Sequence, residues 1–234
     1  MKPLIDLDKC LLRKIFNTPI STPVESLYLE LGCMDIETLL KARRIKYLHY
    51  ILQMKPTSML QRFFMAQWKY PKKQDWAELV KKDLQDFELS TELQSIKSMT
   101  EYTLKGLVRK KAREFALTKL LKMKSCHSKL GNLEYTELKM QDYLQSNSFT
   151  VEQARTVFAF RTKMANFGEN YRQKEGPSLC PLCGDHLDAQ EYAFKCPVVM
   201  QRVDITEKFE DVYTGNPSRQ LVLILSRILE LRNK

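Results

Sequence analysis

Residues 35–54 read DIETLLKARRIKYLHYILQM, and this stretch decides the fold class. Its apolar residues recur at helical rather than alternating intervals: Ile36, Leu40, Tyr47 and Ile51 are spaced to share one face, and Lys41, Arg44 and Lys46 decorate the others. The spacing predicts a helix from about Asp35 to about Met54. Just upstream, Thr22-Pro23-Val24-Glu25 sets a capping-type residue, a proline at the first helical position and an acid in the first turn, with Gly32 as a stop. A short helix over 23–31 is expected.

The same grammar continues downstream. Pro71 interrupts the chain, and DWAELVKKDLQDF predicts a helix over 75–87 with Trp76, Leu79 and Leu84 on its buried side. Further helices are expected over 100–124, 134–144, 150–167, 200–213 and 216–231, with 125–132 as a linker. Thr150-Val151-Glu152-Gln153 repeats the capping pattern. With only seven glycines in 234 residues and almost no alternating stretch, the fold class is all-α. The expected organisation is a helical part over 1–124, a linker and short helix over 125–149, and a second helical part over 150–234 that carries a small metal-knuckle insertion.

That insertion is CPLCGDHLDAQEYAFKC, residues 180–196. Two thiolates at C-x2-C spacing can clamp one ion from a tight turn, and Pro181 and Gly184 suit that turn. Cys180, Cys183, His186 and Cys196 are the candidate ligands of a structural Zn²⁺. Asp185, Asp188 or Glu191 would offer an oxygen if His186 does not reach. The plain alternative is buried cysteines beside a surface histidine. Cys10, Cys33 and Cys126 are scattered, so nothing resembles a secreted disulfide framework.

Lysine and arginine number 38 against 28 acidic residues, a formal charge of +10, which favours polyanionic partners such as RNA or DNA. Residues 105–124 hold eight of these cations against one acid, Glu114. Leu104, Leu107, Val108 and Phe115 fall in one arc of that helix, and Lys105, Arg109, Lys110 and Arg113 fall in the opposite one. In FAFRTKMANFGENYRQK, residues 158–174, Phe160, Met164 and Phe167 have core spacing, which leaves Arg161, Lys163 and Arg172 as candidate phosphate contacts. A solvated basic face is the bland reading of both segments. His49 and His127 stand outside any recognisable catalytic motif, and there is no phosphate loop, dinucleotide fingerprint or paired-aspartate polymerase site. A non-catalytic protein without a small-molecule substrate is expected. Lys2, Asp6, Asp8, Lys9, Arg13 and Lys14 leave no apolar leader core, and the run 221–225 is too short to span a bilayer. The expectation is an intracellular protein, nuclear or cytoplasmic, with no membrane partner.

In order along the chain, TPVESLYLELGCMDIETLLKARRIKYLHYIL, SCHSKLGNLEYTELKMQDYL, FRTKMANFGENY and the Cys-Pro-x-Cys with its later Cys resemble the region after the palm in non-LTR retrotransposon reverse transcriptases. The likeness implies a thumb and linker leading to a zinc knuckle that grip RNA and DNA beside polymerase and endonuclease domains, here supplied in trans. Cys180, Cys183 and Cys196 match the expected thiolates. Many relatives place a histidine four residues before the last cysteine, where this chain has Tyr192. The fingers and palm of the polymerase are absent. Two other readings stay open: a helical protein-interaction or structural domain, and an inactive retroelement remnant.

Overall fold

A computed structural model describes residues 2–73, 75–170 and 178–233. They form α1 (Lys2–Phe16), α2 (Val24–Leu31), α3 (Ile36–Gln53), α4 (Met59–Lys69), α5 (Trp76–Asp86), α6 (Leu93–Ser98), α7 (Glu101–Lys124), α8 (Asp142–Gln145), α9 (Val151–Arg161), α10 (Gln190–Ala193), α11 (Pro197–Met200) and α12 (Arg219–Arg232). Among the described residues the only β pairing is two isolated bridges. The all-α expectation holds. No helix among them is long and apolar enough to cross a membrane.

The chain divides into two compact units. The first comprises Met1–Asp8 and Met34–Lys119. Its centre is α3, which Asp35 caps by accepting the Thr38 N–H at 3.2 Å and the Thr38 hydroxyl at 2.7 Å. The buried stripe of α3 is Ala42, Ile45, Leu48, Ile51 and Leu52, rotated from the expected one so that Tyr47 stands 46% exposed. Small and branched residues take the inner face where α5 approaches closely, and Ala77, Val80 and Leu84 of α5, with Leu104, Val108 and Ala112 of α7, complete this core. Leu79, expected inside, is exposed. Arg44 grips Asp83 through two bonds of 2.6 and 2.9 Å, so the cation on the flank of α3 is a packing element. Lys119 reaches Asp35 and Glu37 at 3.1 and 2.9 Å.

The second unit joins Lys9–Cys33 to Leu120–Lys234. Residues 9–33 thus belong with the C-terminal part, which differs from an organisation divided near 124. Their anchor is Glu30, fully buried in α2, whose carboxylate accepts from Tyr135 at 2.5 Å, Tyr143 at 2.8 Å, and Arg161 Nε and Nη2 at about 3 Å. α2 begins at Val24 behind Pro23 without a side-chain cap, and ends as expected at Gly32, in the left-handed conformation at φ 60°. A Cβ on Gly32 would lie 2.0 Å from the Lys139 carbonyl carbon, because Leu31 and Met140 are bridged there.

Residues 134–144 are mostly not helical. Leu133, Tyr135, Leu138 and Tyr143 are buried at irregular intervals as the chain runs beside α2, and only Asp142–Gln145 forms a turn of helix. The Thr150 capping box forms as predicted, with Gln153 N–H donating to the Thr150 hydroxyl at 3.2 Å and Gln153 Oε1 accepting from the Thr150 N–H at 2.9 Å. α9 stops at Arg161 rather than near 167, since Lys163 turns into positive φ. Phe160 and Phe167 still meet edge to face at 5.6 Å. Only Pro197–Met200 and a 3-10 turn at Phe209–Thr214 replace the helix expected over 200–213. The last helix starts behind Ser218, whose hydroxyl accepts the Leu221 N–H at 3.0 Å.

Candidate metal centre

The sulfurs of Cys180, Cys183 and Cys196 converge within 4.8 Å of one another, the only such group of metal-ligating side chains among the described residues. A small hairpin builds two of the three corners. Leu179 and Leu187 are bridged, the Cys180 N–H donates to the His186 carbonyl at 2.7 Å, and the Asp188 N–H donates to the Ser178 carbonyl at 2.9 Å. Between these rungs the chain must reverse, which Gly184 allows at φ 73° while its N–H closes on the Cys180 carbonyl at 2.9 Å. Cys196 comes from the start of α11 and is fully buried. Its sulfur lies 4.0 Å from that of Cys180.

The local electrostatics favour thiolate at one corner. The Asp185 N–H donates to the Cys183 sulfur and is the largest influence holding that thiol down at about 7, with burial opposing it and the Tyr192 hydroxyl assisting. Burial pushes the Cys196 thiol up, against N–H groups of Val199 and Val198 that donate to its sulfur. Zinc to sulfur bonds of about 2.3 Å in a tetrahedral shell place two sulfurs about 3.8 Å apart. The spacing here suits one ion held by three thiolates.

The fourth expected ligand is not in that group. The ring of His186 is exposed and packs on Tyr192, ring centroids 4.5 Å apart, and the residue contributes to the hairpin through its carbonyl. Asp188, one of the oxygen alternatives, is committed elsewhere: Arg232 pairs with it at 2.7 Å, and the Gly168 N–H donates to it at 2.7 Å. Asp185 and Glu191 are exposed and stand outside the group. The residue that does reach the sulfurs is Tyr192, whose hydroxyl lies 3.7 Å from the Cys183 sulfur. Burial first, then Cys183, pushes this phenol up to about 12. Its position four residues before Cys196 was the sequence signal for it.

The basic candidates separate into two groups. On α7, Lys105, Arg109 and Lys110 are exposed and Arg113 is half-buried. Lys105 pairs with Glu101 one turn back, whereas neither Arg109 nor Lys110 makes an ion pair among the described residues. Arg161 is a correction. At 1% exposure its guanidinium is spent on Glu30 and on the Val212 carbonyl at 2.8 Å, so it presents nothing to a phosphate. Burial alone would lower its pKa, but Glu30 raises it. Lys163 is half-buried at the positive-φ turn, and Arg172 lies outside the described residues.

The first unit also holds a cleft that the sequence did not foreshadow. It measures about 440 Å³ and opens between α3 and the start of α7, lined by Lys46, His49, Tyr50, Gln53, Glu101 and Lys105. His49 is itself buried and bonds the Met99 carbonyl at 2.9 Å. Tyr50 is 57% exposed at the cleft edge and stacks on Tyr47. The i, i+3 spacing of these tyrosines beside Arg43 and Lys46 is legible in the sequence, but helical periodicity assigns Tyr47 to the core. No family model, curated protein or solved structure matches this chain.

Proposed function

We propose that this protein is a non-catalytic nucleic-acid-binding module whose C-terminal unit carries a structural Zn²⁺ knuckle. The observation that carries the reading is the exposed cation row of α7, where Arg109 and Lys110 stand in solvent without an acidic partner among the described residues, in a chain of net charge +10. Each such cation that meets a phosphate releases condensed counterion, giving affinity that is general in sequence and steep in salt. Tyr50 and Tyr47 beside Lys46 and Lys105 add a stacking surface for an unpaired base, which favours single strands over duplex. The ordered likeness to the post-palm segment of retroelement polymerases supports the same class of partner. The three-thiolate group supports zinc, since an N/S shell closed by the protein holds a short segment in shape.

The test is fluorescence anisotropy of a labelled single-stranded RNA across a salt series. The plot of log affinity against log salt should be linear and should flatten by about 1.4 in slope when Arg109→Glu and Lys110→Glu are combined, about 0.7 for each phosphate no longer neutralised. An unchanged slope in the double variant removes α7 as the interface. Absence of binding at low salt removes the function.

A second reading, a protein-interaction domain, has one observation in its favour. Leu4, Leu7, Leu11 and Ile15 of α1 are 44–66% exposed at intervals that make one stripe. Self-association or capture of a helical partner that is lost in Leu7→Glu, together with no affinity for nucleic acid, would select that reading.

A further inference from the structure

We propose that Tyr192 is the fourth ligand of the metal centre, its phenol oxygen closing a three-thiolate, one-phenolate shell around a single zinc-like divalent ion. The inference rests on the metal reading above and deepens it. With a zinc to oxygen bond of about 2.0 Å and zinc to sulfur bonds of about 2.3 Å, tetrahedral geometry separates a ligand oxygen from a ligand sulfur by about 3.5 Å. The Tyr192 oxygen lies 3.7 Å from the Cys183 sulfur.

The competing donors are turned to other work. Asp188 holds Arg232 and the Gly168 N–H, and Asp185 and Glu191 are exposed outside the group. The exposed imidazole of His186 lies against the Tyr192 ring and is not among the converging ligand atoms. The backbone fixes Tyr192 as well: its carbonyl accepts the Lys195 N–H at 2.8 Å in the turn that leads directly into Cys196. A ligand four residues from the last thiolate, on a turn this short, has little freedom to be anywhere else.

Binding is balanced by proton release. The ion forms one bond to the phenol oxygen as the O–H bond breaks and three bonds to sulfurs as their remaining S–H bonds break, every released proton passing to solvent. The phenol is a weak acid on its own, and the cation supplies what ionises it, as it does for bound water.

The experiment titrates the metal-stripped full chain with Zn²⁺ at neutral pH against a chromophoric chelator while recording near-ultraviolet difference absorption. The expected result is a tyrosinate band that grows in step with zinc and saturates with the site. In Tyr192→Phe that band is absent and zinc affinity falls by at least about tenfold, the lower end of what loss of a supporting group costs a metal site. His186→Ala should leave both the band and the affinity as they are. Zinc uptake without a tyrosinate band, or equal affinity in Tyr192→Phe, overturns the proposal and leaves the metal reading standing. Loss of affinity in His186→Ala, with no tyrosinate band in the native chain, gives the fourth corner to the imidazole, which also overturns it. If Cys183→Ser binds as much zinc as the native chain, the three-thiolate reading itself is wrong, a result separate from the others.

Discussion

Arg161 and Glu30 meet across 131 residues of sequence, with both side chains at 1% exposure or less. The two tyrosine hydroxyls that donate to the same carboxylate, and the Val212 carbonyl that accepts from the guanidinium, satisfy most of what burial strips of water. Burial chiefly, with the Glu30 charge next, pushes the phenols of Tyr135 and Tyr143 upward, so both stay protonated donors. Arg161→Met leaves a carboxylate without its cation in that site. It should cost about 3–5 kcal/mol of unfolding free energy in a urea titration, and Glu30→Leu added to it should recover part of the loss, because the pair is worth less than either orphan costs. A native-like midpoint for the single variant would contradict the network. An arginine among aromatic residues reads as surface charge in a sequence, because nothing local names a partner so distant. The three cysteines were legible for the opposite reason: the spacing that makes them a motif also makes them neighbours in space.

At the scale of elements, local chemistry placed α3, α7 and the capped start of α9 closely, since caps and periodicity are properties of one segment. It failed over 134–144 and 200–213, where Leu133, Tyr135, Leu138 and Val212 are buried by what lies beside them rather than by their own period. It also failed to foresee α1, and it put Tyr47 of α3 and Leu79 of α5 on inner faces where they are exposed, although Ile51 and Leu84 are buried as expected; small residues such as Ala42 and Ala77 mark close helix contact there. Two glycines separate local from tertiary control. Gly106 is exposed in the second turn of α7 and a Cβ there would meet nothing within 4 Å. Gly106→Ala should therefore raise stability by about 0.5–1 kcal/mol through helix propensity alone. Gly32→Ala must fail, since its Cβ would overlap the Lys139 backbone and φ is positive. Paired thermal melts of the two variants check both signs, and stabilisation by both would mean that α2 is not stopped against residues 139–140.

The whole molecule is assembled out of chain order, because residues 9–33 belong to the same compact unit as 120–234 while 1–8 and 34–119 form the other. The physical reason is that Glu30 is the only acid bonded to Arg161 among the described residues, and Gly32 seats the edge formed by Leu31 and Met140. Stability of the second unit should therefore depend on a segment far from it in sequence. A chain beginning at Met34 loses little of the first unit's core, since Leu4 and Leu7 are exposed, yet it leaves Arg161 buried without its carboxylate. In limited proteolysis that truncated chain should resist cleavage over 34–119 and be cut throughout 120–234, even with Zn²⁺ added to the buffer. A synthetic peptide of residues 9–33 added in excess should restore protection, by an amount that grows with its concentration, as ligand binding to a native state requires. Glu30→Gln in the peptide should weaken that rescue. Uniform resistance without the peptide would mean the C-terminal unit carries its own core and that the buried pair is dispensable to it.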